Sequence, residues 1–171
     1  MKRSGSFSYA AIIILFVISG PYGCAAKDAG KFESIISTGD AFMKKGDYPK
    51  ALTNYDLAVK LDPKNARGYF SRGNAQYMLG RLPDALTDYD RSIGISPTRG
   101  QCYYNRGNVL FALRKFEDAA KSFRKAAELL PGDAQAVYNE GITLRQLGRE
   151  KEAEVAMKKA IEMDPSLRTR K

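Results

Sequence analysis

The chain contains no histidine and no tryptophan, and only two of its 171 residues are cysteines, Cys24 and Cys102. Without histidine the commonest general base and the commonest metal ligand are missing, which removes nearly every zinc site and every Ser-His or Cys-His nucleophile system. Two cysteines cannot staple a chain of this size as small secreted domains are stapled, so a disulfide scaffold is excluded. Long apolar runs are absent too: the longest, 10–18, falls well short of the roughly 20 residues that comfortably span a bilayer. Charge is not concentrated either. The 28 Lys+Arg against 19 Asp+Glu give +9, yet charged residues make up 27% of the chain, close to the globular norm, and no polybasic block occurs. What is present is packing material: 44% of the residues are apolar, enough for one domain to bury a core.

The first residues differ from the rest. Lys2 and Arg3 precede the apolar run, Gly20, Pro21 and Gly23 are expected to break any helix, and the small residues Cys24, Ala25 and Ala26 follow. That order of charge, apolar stretch and small residues is the order of a secretory signal, so residues 1–26 are expected to act as a signal peptide or membrane anchor, with 27–31 as a short linker. Gly23-Cys24-Ala25 resembles the end of a bacterial lipoprotein signal, in which the cysteine becomes the lipidated N-terminus; Pro21 departs from that pattern. Three fates stay open: lipidation of Cys24, cleavage after Ala26, or retention of the segment as an anchor. Export is the expectation, with the remainder outside the cytoplasm on a membrane or released as a secreted or periplasmic protein; for a retained segment Lys27, Lys31, Lys44 and Lys45 after the apolar run leave the topology open.

After residue 31 the chain repeats. Pro63, Pro97, Pro131 and Pro165 are evenly spaced, and in the same register fall Ala51, Ala85, Ala119 and Ala153, then Gly39, Gly73, Gly107 and Gly141, then the bulky Tyr55, Tyr89, Phe123 and Met157. Within one unit, 66–79 carries Tyr69, Gly73 and Tyr77 at helical spacing and ends at Gly80. A second helix over 82–95 carries Ala85, Leu86, Tyr89 and Ile93 on one stripe before Ser96-Pro97 stops it. Small residues sit where two helices must approach, and the bulky ring is expected to fill the space toward the next unit. One such hairpin leaves an apolar face uncovered, so the units must stack.

These columns resemble the tetratricopeptide repeat, with its 34-residue period and its Gly, Tyr, Ala, Phe and Pro positions. The resemblance covers 32–65, 66–99, 100–133 and 134–167, a domain spanning 32–167 with 168–171 as a basic tail. It implies an all-α fold, a right-handed solenoid of four helix-turn-helix units, eight helices in all. Thr38, Arg72, Arg106 and Glu140 stand where the family places the Leu before the Gly, a departure expected to weaken individual contacts. At the far end, Glu154 replaces Leu52, Leu86 and Ala120 in one column, as suits a face turned to water, while Ile161 and Met163 raise the prospect of self-association through the last repeat.

In this family the first helices of the units line a concave wall that holds a peptide or partner helix. The matching groove positions include Phe70, Tyr104 and Tyr138, then Asn105 and Asn139, then Asn74 and Asn108, then Tyr77 and Phe111. Carboxamides there can bond both groups of a peptide unit, and rings give contact area at low entropy cost. The rings could equally pack between helices. The cationic clamp of the family's chaperone-tail binders is missing, since the corresponding places hold Ile36 or Phe70, then Gln135 and Asn139. No cofactor, no metal and no nucleic acid is expected. Arg67, Arg72, Arg91, Arg106 and Arg114 are scattered among acids as on solvated helix faces, and Cys102 reads as a packing residue. No Walker loop and no activated nucleophile is present, and Glu150, Glu152 and Glu154 need no catalytic explanation. The expected role is a non-enzymatic scaffold binding a protein or peptide within an envelope assembly. A regulatory or assembly subunit of an enzyme complex, or a soluble adaptor of the co-chaperone kind, is the alternative.

Overall fold

A computed structural model describes residues 21–169 of the chain. Eight helices follow one another: α1 (Pro21–Lys44), α2 (Tyr48–Leu61), α3 (Ala66–Met78), α4 (Leu82–Ile95), α5 (Gly100–Ala112), α6 (Phe116–Leu129), α7 (Ala134–Gln146) and α8 (Glu150–Met163). A 3-10 turn, Pro165–Thr169, follows α8, and no strand occurs among the described residues. Each helix packs on the one before it and the one after it, which makes a right-handed solenoid of four hairpins with α1, α3, α5 and α7 inside and α2, α4, α6 and α8 outside.

Local chemistry sets the helix ends. Asp47, Asn65 and Asp133 cap α2, α3 and α7 by accepting from the backbone N–H of Lys50 (3.3 Å), Arg67 (3.1 Å) and Gln135 (3.0 Å). Pro49 and Pro83 sit in first turns, where a missing N–H costs nothing. The turn inside each hairpin needs one left-handed residue: Gly46, Gly80 and Gly148 take φ values of 73° to 75°, and in the third unit Arg114 does so at 59°.

Three of the hairpins are held by a ring lying on a glycine, and the fourth by a methionine in the same place. A methyl added at Gly39, Gly73 or Gly107 would meet Tyr55, Tyr89 or Phe123 at 2.5, 2.9 or 2.7 Å, and one at Gly141 would meet Met157 at 2.6 Å. The three rings are buried, each a stabilisation of about 1.5–3 kcal/mol by apolar transfer. They were expected to fill the space toward the next unit. Tyr89 does pack with Cys102 and Val109 of the following hairpin, but its closest fit is to the glycine of its own.

Two expectations change. Residues 27–31, expected as a linker, are helical: α1 starts at Pro21, a first-turn proline, and continues unbroken through Ala25–Ala29. The register holding Arg72 and Arg106, expected to weaken contacts, instead straps helices together. Arg72 donates to Asp88 at 2.7 Å and to Asp56 at 3.0 Å, and Arg106 donates to Asp90 at 2.7 Å and to Ser122 at 2.7 Å. Asp56–Arg72, Asp90–Arg106 and Arg124–Glu140 (2.7 Å) are three rungs with one spacing of 16 residues, and the last has its charges exchanged.

The end of the pile is closed by more than Glu154, which is exposed as expected. Leu167 of the 3-10 turn is buried against Tyr138, Val137 and Ala160, so Arg168 and Thr169 of the expected tail belong to that turn. The expected signal residues 1–20, and the sulfur of Cys24 with its lipidation, lie outside the described residues and side chains. Among the described residues no helix is long and apolar enough to cross a membrane.

Candidate functional site

The inner wall of the solenoid carries three adjoining cavities that run together into one trough. The first, about 390 Å³, lies between α1 and α3 and is bordered by Asp40, Met43, Arg67, Phe70, Asn74 and Arg99. The second, about 240 Å³, shares Met43 and Asn74 with it and adds Tyr77, Met78, Asn105 and Asn108. The third, about 230 Å³, shares Tyr77 and Asn108 with the second and reaches Phe111, Asn139 and Ile142. Eight of the nine expected groove residues therefore border or support this trough. Tyr138 does not: its ring is buried in the last core cluster, where Leu167 folds over it.

The floor is a polar ladder joining inner helices. Asn74 Oδ1 accepts from the Tyr89 hydroxyl at 2.8 Å and from Asn105 Nδ2 at 2.8 Å, and Asn105 Oδ1 accepts from Gln101 at 3.2 Å. One repeat on, Asn139 Nδ2 donates to the Tyr104 hydroxyl at 3.1 Å while its Oδ1 accepts from Gln135 at 2.8 Å. Asn74, Asn105 and Asn139 thus tie α3 to α5 and α5 to α7. All three carboxamides are half-buried and partnered, Asn74 and Asn105 by each other and Asn139 by Tyr104 and Gln135. Asn108 stands apart: it borders two of the cavities, and no hydrogen-bond partner for it occurs among the described residues.

The rings are placed in three ways. Phe70 is half-buried, tilted on Tyr89 at 6.2 Å with the Arg99 guanidinium 5.5 Å from its centroid. Tyr104 meets Phe123 edge-on at 5.8 Å and Phe111 meets Phe116 at 5.3 Å. Tyr77, 37% exposed, faces the open trough. Two residues of the wall escape a reading of the sequence, Met78 and Arg99. Arg99 has a signal, since it breaks the capping column of Asn65 and Asp133; unable to cap α5, it is free to lie over Phe70, its Nε buried without a partner.

Electrostatically the trough is mixed at one end and neutral along the rest. Asp40 accepts from the Tyr55 hydroxyl at 2.7 Å and from Arg67 at 3.3 Å. Burial, then the bond to Asp40, push the Tyr55 phenol above its ordinary range, and burial does the same to Tyr89, so both remain protonated donors. Cys102 is fully buried, and burial raises its thiol from 9.0 to about 11, away from any nucleophilic role at neutral pH. No group of three or more Cys, Asp or Glu suited to a metal ion occurs among the described residues. The arrangement lines one wall with hydrogen-bond donors, acceptors and ring faces.

A family profile described as TPR repeat matches residues 39–80, and a second, described as tetratricopeptide repeat, matches 104–167. No match is found among curated proteins. Among solved structures, the crystal structure of MamA is 23% identical, covers 85% of this chain and 85% of that one, and superposes with a TM-score of 0.76. MamA from Desulfovibrio magneticus RS-1, from residue 41 to its end, is 22% identical over 79% of this chain and 76% of its own, with a TM-score of 0.73. The first TPR of Spaghetti (RPAP3), solved bound to the HSP90 peptide SRMEEVD, is 25% identical over 70% of this chain and 94% of its own, with a TM-score of 0.68.

Proposed function

This chain belongs to the tetratricopeptide repeat family, and on that footing we propose that it is a non-enzymatic scaffold that holds an extended peptide or partner helix along its inner wall, tethered outside the cytoplasm within an envelope assembly. One observation carries the reading: three cavities share walls into a continuous trough lined by carboxamides, hydroxyls and ring faces, with Asn108 at its centre lacking a partner among the described residues. Those groups match the alternating donors and acceptors of a peptide better than they match a charged small molecule. The similar RPAP3 repeat domain, which takes a peptide, supports the same use of the fold.

The tether rests on the sequence of the first 26 residues. If Cys24 carries lipid, the helical path from Cys24 to Phe32 rises only about 12 Å, which keeps the solenoid against the bilayer surface.

A photoreactive residue at Tyr77, introduced into the full chain in intact cells, tests the trough. A partner crosslinked from Tyr77 and lost on Asn108→Ala, with helicity unchanged, is the expected result. Equal crosslinking from Thr53 on the outer surface, or none from Tyr77, defeats the reading. The intact mass of the mature protein separates diacylated Cys24, cleavage after Ala26 and an uncleaved chain.

A further inference from the structure

The outer surface is grooved between successive outer helices, and the floor of each groove is one face of an inner helix. Between α2 and α4 that face presents Tyr69 and Arg72; between α4 and α6 the same register presents Tyr103 and Arg106. The Tyr69 hydroxyl donates to the Pro63 carbonyl at 3.2 Å, and its ring lies 5.6 Å from the Arg72 guanidinium. Arg72 spans its groove from Asp56 on α2 to Asp88 on α4, and Arg106 spans the next from Asp90 on α4 to Ser122 on α6. A strapping guanidinium, with a tyrosine one turn away, thus crosses both grooves.

Between α6 and α8 all three positions change. Val137 replaces the tyrosine, Glu140 replaces the arginine, and Ala156 stands where Asp88 and Ser122 receive the strap. Glu140 pairs with Arg124 on α6 at 2.7 Å, and Ala156 has no polar side-chain atom to meet anything from the floor. A cavity of about 570 Å³ results. Its floor is the buried pair Val137 and Leu144, and its far wall includes Val155 and Met163, 70% and 38% exposed. Its rim is charged unevenly. Glu128, Glu140 and Glu152 are engaged by Lys125, Arg124 and Arg149, whereas Lys151 and Lys159 have no ion-pair partner among the described residues.

We propose that this groove is a second docking site, separate from the inner trough, for an aromatic side chain carried on an acidic segment of a partner polypeptide. The ring enters at the register that Tyr69 and Tyr103 hold in the preceding units, against Val137, Leu144 and Val155. Carboxylates flanking it meet Lys151 and Lys159, the two rim charges left uncompensated. Ring burial gives the affinity and the lysines give the sign preference.

The test uses the full chain and three acetylated pentapeptides, Asp-Glu-Tyr-Glu-Asp, Asp-Glu-Ala-Glu-Asp and Lys-Lys-Tyr-Lys-Lys, titrated while the methyl resonances of the protein are followed by NMR. The acidic tyrosine peptide is expected to shift Leu144, Val155 and Met163 and to bind at least about tenfold more tightly than either of the others. Val137→Tyr, which installs the residue found in this register in two other units, is expected to remove binding with the fold intact. Val155→Lys, at an exposed position where α6 carries Lys121, is expected to remove it independently. Asn108→Ala is expected to leave it unchanged, so failure here and failure of the inner trough are separable. Shifts confined to Met43, Met78 and Ile142 of the inner trough, full binding by the Val137→Tyr protein, or equal binding of the basic peptide overturns the proposal. So does self-association that Val137→Tyr dissolves without any response to peptide, which makes a second copy the occupant.

Discussion

Arg72 and Arg106 hold the same register in successive units, yet truncating them is expected to cost very different amounts. Arg72 meets the Asp88 carboxylate with two bonds of 2.7 Å, and that carboxylate is 4% exposed. Arg72→Ala leaves a buried charge without compensation, a loss of about 3–5 kcal/mol. Arg106 bonds Asp90, which is 52% exposed, and the Ser122 hydroxyl, which already donates to the Asp118 carbonyl at 2.8 Å. After Arg106→Ala, water reaches the carboxylate and the hydroxyl keeps a partner, so the loss is about 0.5–1.5 kcal/mol. Urea unfolding of both variants gives the comparison, with amide exchange across α2, α3 and α4 to register opening confined to neighbouring units. Arg72→Ala combined with Asp88→Ala is expected to recover most of the loss, because the stranded charge leaves with its partner. Equal costs for the two arginines, or a double variant no better than Arg72→Ala alone, would refute the assignment of the penalty to Asp88.

Two further outcomes follow from packing and burial. Gly107→Ala drives a methyl to 2.7 Å from the buried Phe123 ring and is expected to destabilise by about 1–3 kcal/mol, whereas Gly94→Ala, with nothing within 4 Å, is expected to stabilise by about 0.4–1 kcal/mol; thermal unfolding that moves both variants the same way contradicts the ring-on-glycine account. Cys102 has a thiol raised by burial from 9.0 to about 11, so its contribution is complete below pH 9.0, where both states are protonated, and is lost as pH rises toward 11, where only the unfolded chain ionises. In a Cys24→Ser background, a thiol reagent at neutral pH is expected to modify Cys102 no faster than the protein unfolds, and Cys102→Ala is expected to flatten part of the alkaline loss of stability; prompt labelling of the folded protein disproves the burial.

Much of the architecture was open to inspection in the chain itself because it depends on local and periodic features. Gly39, Gly73, Gly107 and Gly141 recur with their bulky partners in one register, and helix ends follow from capping groups and prolines; the boundaries of α3 and α4 lie within a residue of the expected ones. Properties set between units were harder to see. Arg72 and Arg106 looked like eroded leucine positions when each column was considered alone, and only the constant 16-residue offset to Asp56 and Asp90 marks them as straps. The carboxamides read as groove residues column by column, but a single unit cannot show that Asn74 and Asn105 satisfy each other across a seam. Tyr138 belongs to a groove column by register and to the core by circumstance, because Leu167 of the 3-10 turn after α8 folds over it.

The exchanged charges of the third rung make the order of the units unequal in its tolerance of deletion. Excision of 66–99 would join the first unit to the third with Asp56 opposite Arg106, an attractive seam. Excision of 100–133 would join the second to the fourth with Asp90 opposite Glu140, two carboxylates face to face. A shortened protein can therefore be assembled cleanly across one boundary and only against repulsion across the other, although the units share one length and one outline.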